Sequence, residues 1–176
     1  MRTKIYITLF IVFLIIYFLQ ANFFAWFNLA GIKPNLFVLL VLFIGLFAGR
    51  KIAFIYGIIL GIFIDLFIGK NVGATSVMLG VIGILGGYFD KSFSKDSRMT
   101  LMLMVMLSTF IYEIGIYIIN IFIISSQIEI IPFLRMLLIE ILYNVILTII
   151  LYPLLQTLGY RMEEKFKENK ILTRYF

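Results

Sequence analysis

The sequence predicts an all-α fold: a polytopic membrane protein built as a six-transmembrane-helix bundle. Composition is the first reason. Of 176 residues, 63% are hydrophobic and 14% are charged, whereas a soluble domain carries about 25% charged residues to coat its surface. Mean hydropathy is +1.12, so the solvent for most of the surface is lipid. Length is the second reason: apolar runs of roughly the 17–25 residues that cross a bilayer follow one another, divided by short polar or Gly/Pro breaks. The third is the placement of Lys and Arg, which alternates from break to break.

The first run covers residues 5–27 and ends in the aromatic stretch Phe23-Phe24-Ala25-Trp26-Phe27. Arg2 and Lys4 ahead of an apolar core look like a secretory leader. A cleavage site needs small residues, however, and this run ends among Phe, Asn and Trp, which predicts a retained span. Pro34 opens a second, shorter run, 34–49, as suits a proline in the first helical turn. Arg50-Lys51 separates it from the third, 52–68, a break so short that it implies a tight helical hairpin. Gly69-Lys70-Asn71 leads into the fourth, 72–89, and the polar segment Asp90 to Arg98 into the fifth, 99–124. Ser125 to Pro132 breaks the chain again before the sixth, 133–158. Residues 1–160 thus read as one transmembrane domain. Residues 161–176 read as a tail mixing five basic with three acidic residues. A flank lying near anionic lipid or a docking helix for a cytoplasmic partner both fit that tail.

Orientation follows from the positive-inside rule. With the N-terminus inside, Arg2, Lys4, Arg50, Lys51, Lys91, Lys95, Arg98, Arg161, Lys165, Lys167, Lys170 and Arg174 are cytoplasmic, and Lys33, Lys70 and Arg135 lie on the other side. That divides the 15 basic residues into 12 and 3. An odd number of spans would destroy the alternation. The expected state is therefore a multi-pass protein of the bacterial cytoplasmic membrane with both termini cytoplasmic.

The same residue counts exclude chemistry. Cys and His are both absent, which removes thiolate metal sites, disulfides, and the commonest metal ligand and general base. No Gly-rich phosphate loop or nucleophile elbow is present. The net charge of +6 reads as topology rather than nucleic-acid binding. Neither a cofactor nor catalysis is expected.

Two patterns remain. Ala53, Gly57, Gly61, Asp65 and Gly69 recur every four residues and share one helical face. Gly73, Ser76, Gly80, Gly83 and Gly87 form a matching face on the next span. Small residues let helix backbones approach closely in lipid, so the two spans should pack as an antiparallel pair. Asp65 on that face reads either as a helix-end carboxylate meeting headgroup water or Lys70, or as a partner site. The second pattern is polar. Glu113, Tyr117 and Asn120 line one face of the fifth run, and Glu140, Tyr143, Asn144 and Thr148 one face of the sixth. Neither face can meet lipid cheaply, so both should turn to the bundle interior, a partner helix or a wet cavity. Such a pair can relay protons, hold a substrate or fix helix register. Arg135 should snorkel to the outer headgroups.

Lys33-Pro34-Asn35-Leu36, then Gly57-x-x-x-Gly61-x-x-x-Asp65-Leu66, then Gly73, Asn144 and Pro153, resemble in order and spacing the MreD family of rod shape-determining membrane proteins. The resemblance covers nearly the whole chain. It implies a non-enzymatic scaffold of the bacterial elongation machinery, working with an MreC-like bitopic membrane protein, an MreB-like cytoskeleton, and the polymerase and transpeptidase that build peptidoglycan. It also implies a fold similar to the substrate-binding components of energy-coupling-factor transporters. A vitamin-binding component of that kind is the rival reading. Its Ala-x-x-x-Ala contact face has a counterpart in Ala21 and Ala25, but these lie at the outer end, away from a cytoplasmic coupling module. Under the scaffold reading, Asp65, Glu113, Asn120, Glu140 and Asn144 support a partner interface or pocket.

Overall fold

The computed structural model describes residues 2–67, 73–92, 97–124 and 129–171. Helix α1 (Arg2–Phe18) passes through a π-helical turn (Leu19–Phe23) into the short α2 (Phe24–Trp26). Then come α3 (Leu36–Ala48), α4 (Arg50–Phe67), α5 (Ala74–Ser92), α6 (Arg98–Ile124) and α7 (Ile130–Ile171). Among the described residues there is no named strand, only an isolated bridge between Leu29 and Ile32. Three segments, Ile7–Trp26, Arg98–Phe122 and Ile130–Glu164, are long and apolar enough to cross a membrane by length and composition.

Helix α3 is the hub. Twelve of its 13 residues are buried, and it touches α4, α5, α6 and α7. At 1.5 Å per residue it is about 20 Å long, too short for a hydrocarbon core of about 30 Å. Its all-round apolar sequence is therefore covered by protein instead of lipid, as a uniformly hydrophobic helix should be. Asn35 is its N-cap, accepting the Val38 N–H at 3.2 Å. Pro34 stands just before the cap, two positions ahead of the first helical residue and so outside the helical turn expected of it. Gly49, at φ +93°, lets α4 begin at Arg50 with no intervening loop, so the tight hairpin expected from Arg50-Lys51 is made by one left-handed residue.

The small-residue faces of α4 and α5 meet backbone to backbone. A Cβ added at Gly57 would lie 2.5 Å from the Leu79 carbonyl oxygen, and one at Gly83 2.5 Å from that of Ala53. At Gly61 it would run into the Ser76 backbone, and at Gly87 into Arg50. Gly80 is looser, since only the tips of Ile58 and Phe54 come within 3.2 Å. The face has a second side that the sequence pattern did not reveal: Gly86 of α5 meets Gly45 of α3. One helix thus packs closely against two neighbours. Gly69 and Lys70 lie outside the described residues.

Helix α1 closes one flank through Phe13, whose ring lies 5.1 Å from Phe63 and 6.2 Å from Phe37. The Tyr56 hydroxyl donates to the Leu9 carbonyl at 2.7 Å. Helix α7 runs 42 residues with Pro153 inside it, past the expected end of the last span at 158 and into the expected tail. Beyond Pro153, Tyr160 packs on Phe47. Met162 and Phe166 pack against Leu9, Ile44, Ala48 and Ala53. The first part of residues 161–176 is therefore helix with an apolar contact, and residues 172–176 lie outside the described ones. The large side chains left exposed are rows such as Phe10, Leu14 and Phe18 of α1 and Leu138, Leu142 and Ile149 of α7. These are apolar surfaces of the kind a bilayer solvates.

Candidate functional site: a buried polar cluster under the start of α3

The two polar faces meet. Glu113 (7% exposed) and Glu140 (6% exposed) are hydrogen-bonded to one another, and both reach the Asn35 side chain. Glu113 is 11 residues from the end of α6 and Glu140 is 10 from the start of α7. Each therefore sits about 15 Å along its helix from the α6–α7 connection, close to half the depth of the hydrocarbon core. A hydrogen bond between two carboxyl groups requires a proton on one of them, since ionised carboxylates only accept. The pair accordingly carries at most one negative charge.

Asn35 organises what surrounds that pair. Its backbone N–H donates to Asn144 Oδ1 at 2.8 Å, and its Oδ1 accepts from Val38 N–H, which leaves its Nδ2 to serve the carboxyls. Asn144 is fully buried, and its Nδ2 donates to Thr109 Oγ1 at 3.0 Å. Gln20, on the π-helical turn, clamps the same point from the other side. Its Nε2 donates to the Pro34 carbonyl at 2.7 Å and its Oε1 accepts from Leu36 N–H at 3.2 Å. A helix start leaves several N–H groups without intrahelical partners, and in lipid each costs several kcal/mol if unsatisfied. Here Asn144 of α7 takes the Asn35 N–H, Gln20 of the π-helical turn takes that of Leu36, and the Asn35 side chain takes that of Val38. The positive end of the α3 dipole lies beside the carboxyl pair, an arrangement that favours negative charge.

Asp65 takes a different part. Its Oδ2 accepts from Gly73 N–H at 2.9 Å and Ser76 N–H at 3.1 Å, and its Oδ1 from Thr75 N–H at 3.3 Å. It is 2% exposed and caps α5 from the end of α4. Gly73 carries φ +103°, a left-handed conformation that suits glycine and turns the chain into that cap. Asp65 still belongs to the same network. The Thr75 side chain is hydrogen-bonded to buried Tyr112, and Tyr112 to Asn35. Polar contacts thus run from Asp65 through Thr75, Tyr112 and Asn35 to Asn144.

Of the residues singled out in the sequence, Glu113, Glu140, Asn144 and Asn35 are together. Asn120 is separate, on the wall of a cleft that Glu113 also lines. Tyr143 leaves the cluster to donate to the Phe27 carbonyl at 2.6 Å. Arg135 is exposed, as snorkelling requires. Gln20, Thr75, Thr109 and Tyr112 were not foreseen. A lone glutamine inside a run of Phe and Leu was the one available signal, because an amide in lipid needs a partner.

A helical bundle with apolar outer faces, a short buried central helix and polar groups turned inward is a membrane protein of the polytopic all-α class. Residues 1–161 match the model of the family described as rod shape-determining protein MreD. The chain belongs to that family, and membership carries a role in determining rod shape. No curated protein and no solved structure matches the chain.

Proposed function

We propose that the protein is a multi-pass scaffold of the bacterial cytoplasmic membrane, with both termini cytoplasmic. In this reading it couples an MreC-like bitopic protein and an MreB-like cytoskeleton to the polymerase and transpeptidase of peptidoglycan elongation. The observation that carries the reading is the family match over residues 1–161. The charge division of 12 against 3 supports the orientation, and the exposed apolar rows of α1, α6 and α7 offer faces for a partner's membrane helix. Asp65, Glu113, Glu140 and Asn144 take an indirect part: they hold α3, α5, α6 and α7 in the register that presents those faces.

Two experiments test this. The chain has no native Cys, so single cysteines at Ser97 and Glu129 can be labelled on a clean background. Ser97→Cys should react only from the cytoplasm and Glu129→Cys only from outside; the reverse pattern refutes the orientation. Co-purification of the detergent-solubilised protein with an MreC-like partner tests the scaffold role. Failure to associate, together with a vitamin retained by the purified chain, would transfer the reading to a transporter component.

A further inference from the structure

The helices do not all reach the same height on the side where α6 gives way to α7. Thr75, at the start of α5, donates its backbone N–H to Asp65 near the end of α4, and its side chain is bonded to Tyr112 of α6. The end of α4 and the start of α5 are thereby tied to the level of Tyr112. Beyond that level α4 adds two residues, to Phe67, or about 3 Å. Helix α6 adds 12, to Ile124, or about 18 Å. Helix α3 is low as well, since its cap is bonded to Asn144, 14 residues or about 21 Å from the start of α7. Helices α3, α4 and α5 therefore stop roughly 15 Å short of α6 and α7 on this side.

Burial follows the same step. No residue from Ile114 to Phe122 is buried and none from Ile130 to Met136. This end of α6 and α7 projects past the packed core, held by contacts between the two such as the Tyr117–Phe133 stack at 4.1 Å. The outward surfaces are apolar on both flanks. On α4 the exposed side chains Ile55, Ile59, Ile62 and Leu66 lead to Phe67, the last residue of the helix, and on α6 Leu103, Phe110 and Ile118 lead to Phe122. The one acid of α4, Asp65, is turned inward. The apolar length of α4, residues 52–67, is about 24 Å, and that of α6, residues 99–122, about 36 Å. A hydrocarbon core of about 30 Å is too thick for the first and too thin for the second. A long span meets this mismatch by tilting, whereas a short one draws the bilayer in. Uncharged side chains exposed to the very end of α4 call for acyl chains around them, not water.

We infer that the α4–α5 flank is an interaction surface for lipid that thins the bilayer locally, drawing in the leaflet on the side where α4 ends and α5 begins. Under the proposed orientation this is the outer leaflet. The thin flank rests on the multi-pass reading and not on the scaffold role.

The test places one bimane fluorophore on the full chain, which has no native Cys. The chain is reconstituted in phosphatidylcholine vesicles brominated near the headgroup, at mid-chain or at the chain end. Leu66→Cys and Phe110→Cys are both at exposed positions and at nearly the same height, one residue past Asp65 and two before Tyr112. Thermal unfolding like that of the parent confirms that each labelled variant is folded. The Leu66 label should be quenched most by bromine near the headgroup. The Phe110 label, midway along the apolar length of α6, should be quenched most by bromine at the chain end. The two depths should differ by roughly 5–15 Å. Matching depth profiles, whether both shallow or both deep, would overturn the inference. So would a Leu66 label that no bromine quenches, since water, a second copy or a partner would then cover the flank. Labelling at Ser97 and Glu129 tests the orientation separately: a reversed pattern there moves the thin side to the other leaflet and leaves the difference between the two depths intact.

Discussion

Replacing Asn144 with Ala separates two accounts of the polar interior. If Asn144 merely makes an intramembrane hydrogen bond, its loss costs about 0.6 kcal/mol, the average for such bonds in a membrane bundle. In this protein it does more, because it receives the N–H of the α3 cap at 2.8 Å and holds Thr109 at 3.0 Å. Asn144→Ala strands the N–H of the partly buried Asn35 against the fully buried Asn144 position. An orphaned buried donor costs about 1–3 kcal/mol, and the space left by the carboxamide adds on the order of 1 kcal/mol. The expected loss is therefore about 3 kcal/mol. At 2–4 °C per kcal/mol for a chain of this size, thermal unfolding in a mild detergent should shift down by roughly 6–12 °C. Thr148→Val is the control, since the Thr148 hydroxyl donates only to the Asn144 carbonyl of its own helix at 2.7 Å. It should shift the transition by about a quarter as much or less. A shift for Asn144→Ala no larger than that of the control would show that the start of α3 does not depend on α7.

Gly61→Leu should destabilise the protein by about 1–3 kcal/mol or more, because its side chain must displace the Ser76 backbone. Ile62→Leu, at a position 44% exposed, should do little, and Gly80→Ala should fall between them. Equal thermal stability of all three would remove the close α4–α5 contact. Asp65→Ala should cost about 2 kcal/mol through loss of a charged cap. It should also speed amide exchange at Gly73, Thr75 and Ser76, and unchanged exchange there would contradict the capping role.

Much of this was legible because lipid makes sequence rules strict. The every-fourth-residue spacing of Gly57, Gly61 and Asp65 announced a close helix contact, and Glu113 and Glu140 had to turn inward. The short second run announced something unusual, and its explanation is burial on every side. Less was legible where a residue's partner is remote. Gln20 bonds residues 14 and 16 positions away, and Asn144 bonds one 109 away, distances at which no local periodicity carries information. Asp65 is an intermediate case. Its partners lie 8 to 11 residues onward, and a carboxylate preceding Gly73 and a new helix was a readable cap signal. The second close face of α5 was hidden because Gly45 is isolated within a run of large apolar residues.

The dependence of α3 on α7 has a consequence for biogenesis. During synthesis α3 emerges long before α7, and until α7 arrives the Asn35 amide lacks the oxygen of Asn144. A segment of about 20 Å with an unsatisfied polar start is a poor independent span for the insertion machinery, since exposed backbone groups in hydrocarbon cost several kcal/mol each. Helix α3 must then wait at the membrane surface or against α4 and α5 while the rest of the chain is made. Insertion order and folding order differ, and the last helix completes the second. Chains stopped after Ile124 should accordingly leave residues 28–36 open to an added protease, whereas the full chain protects them.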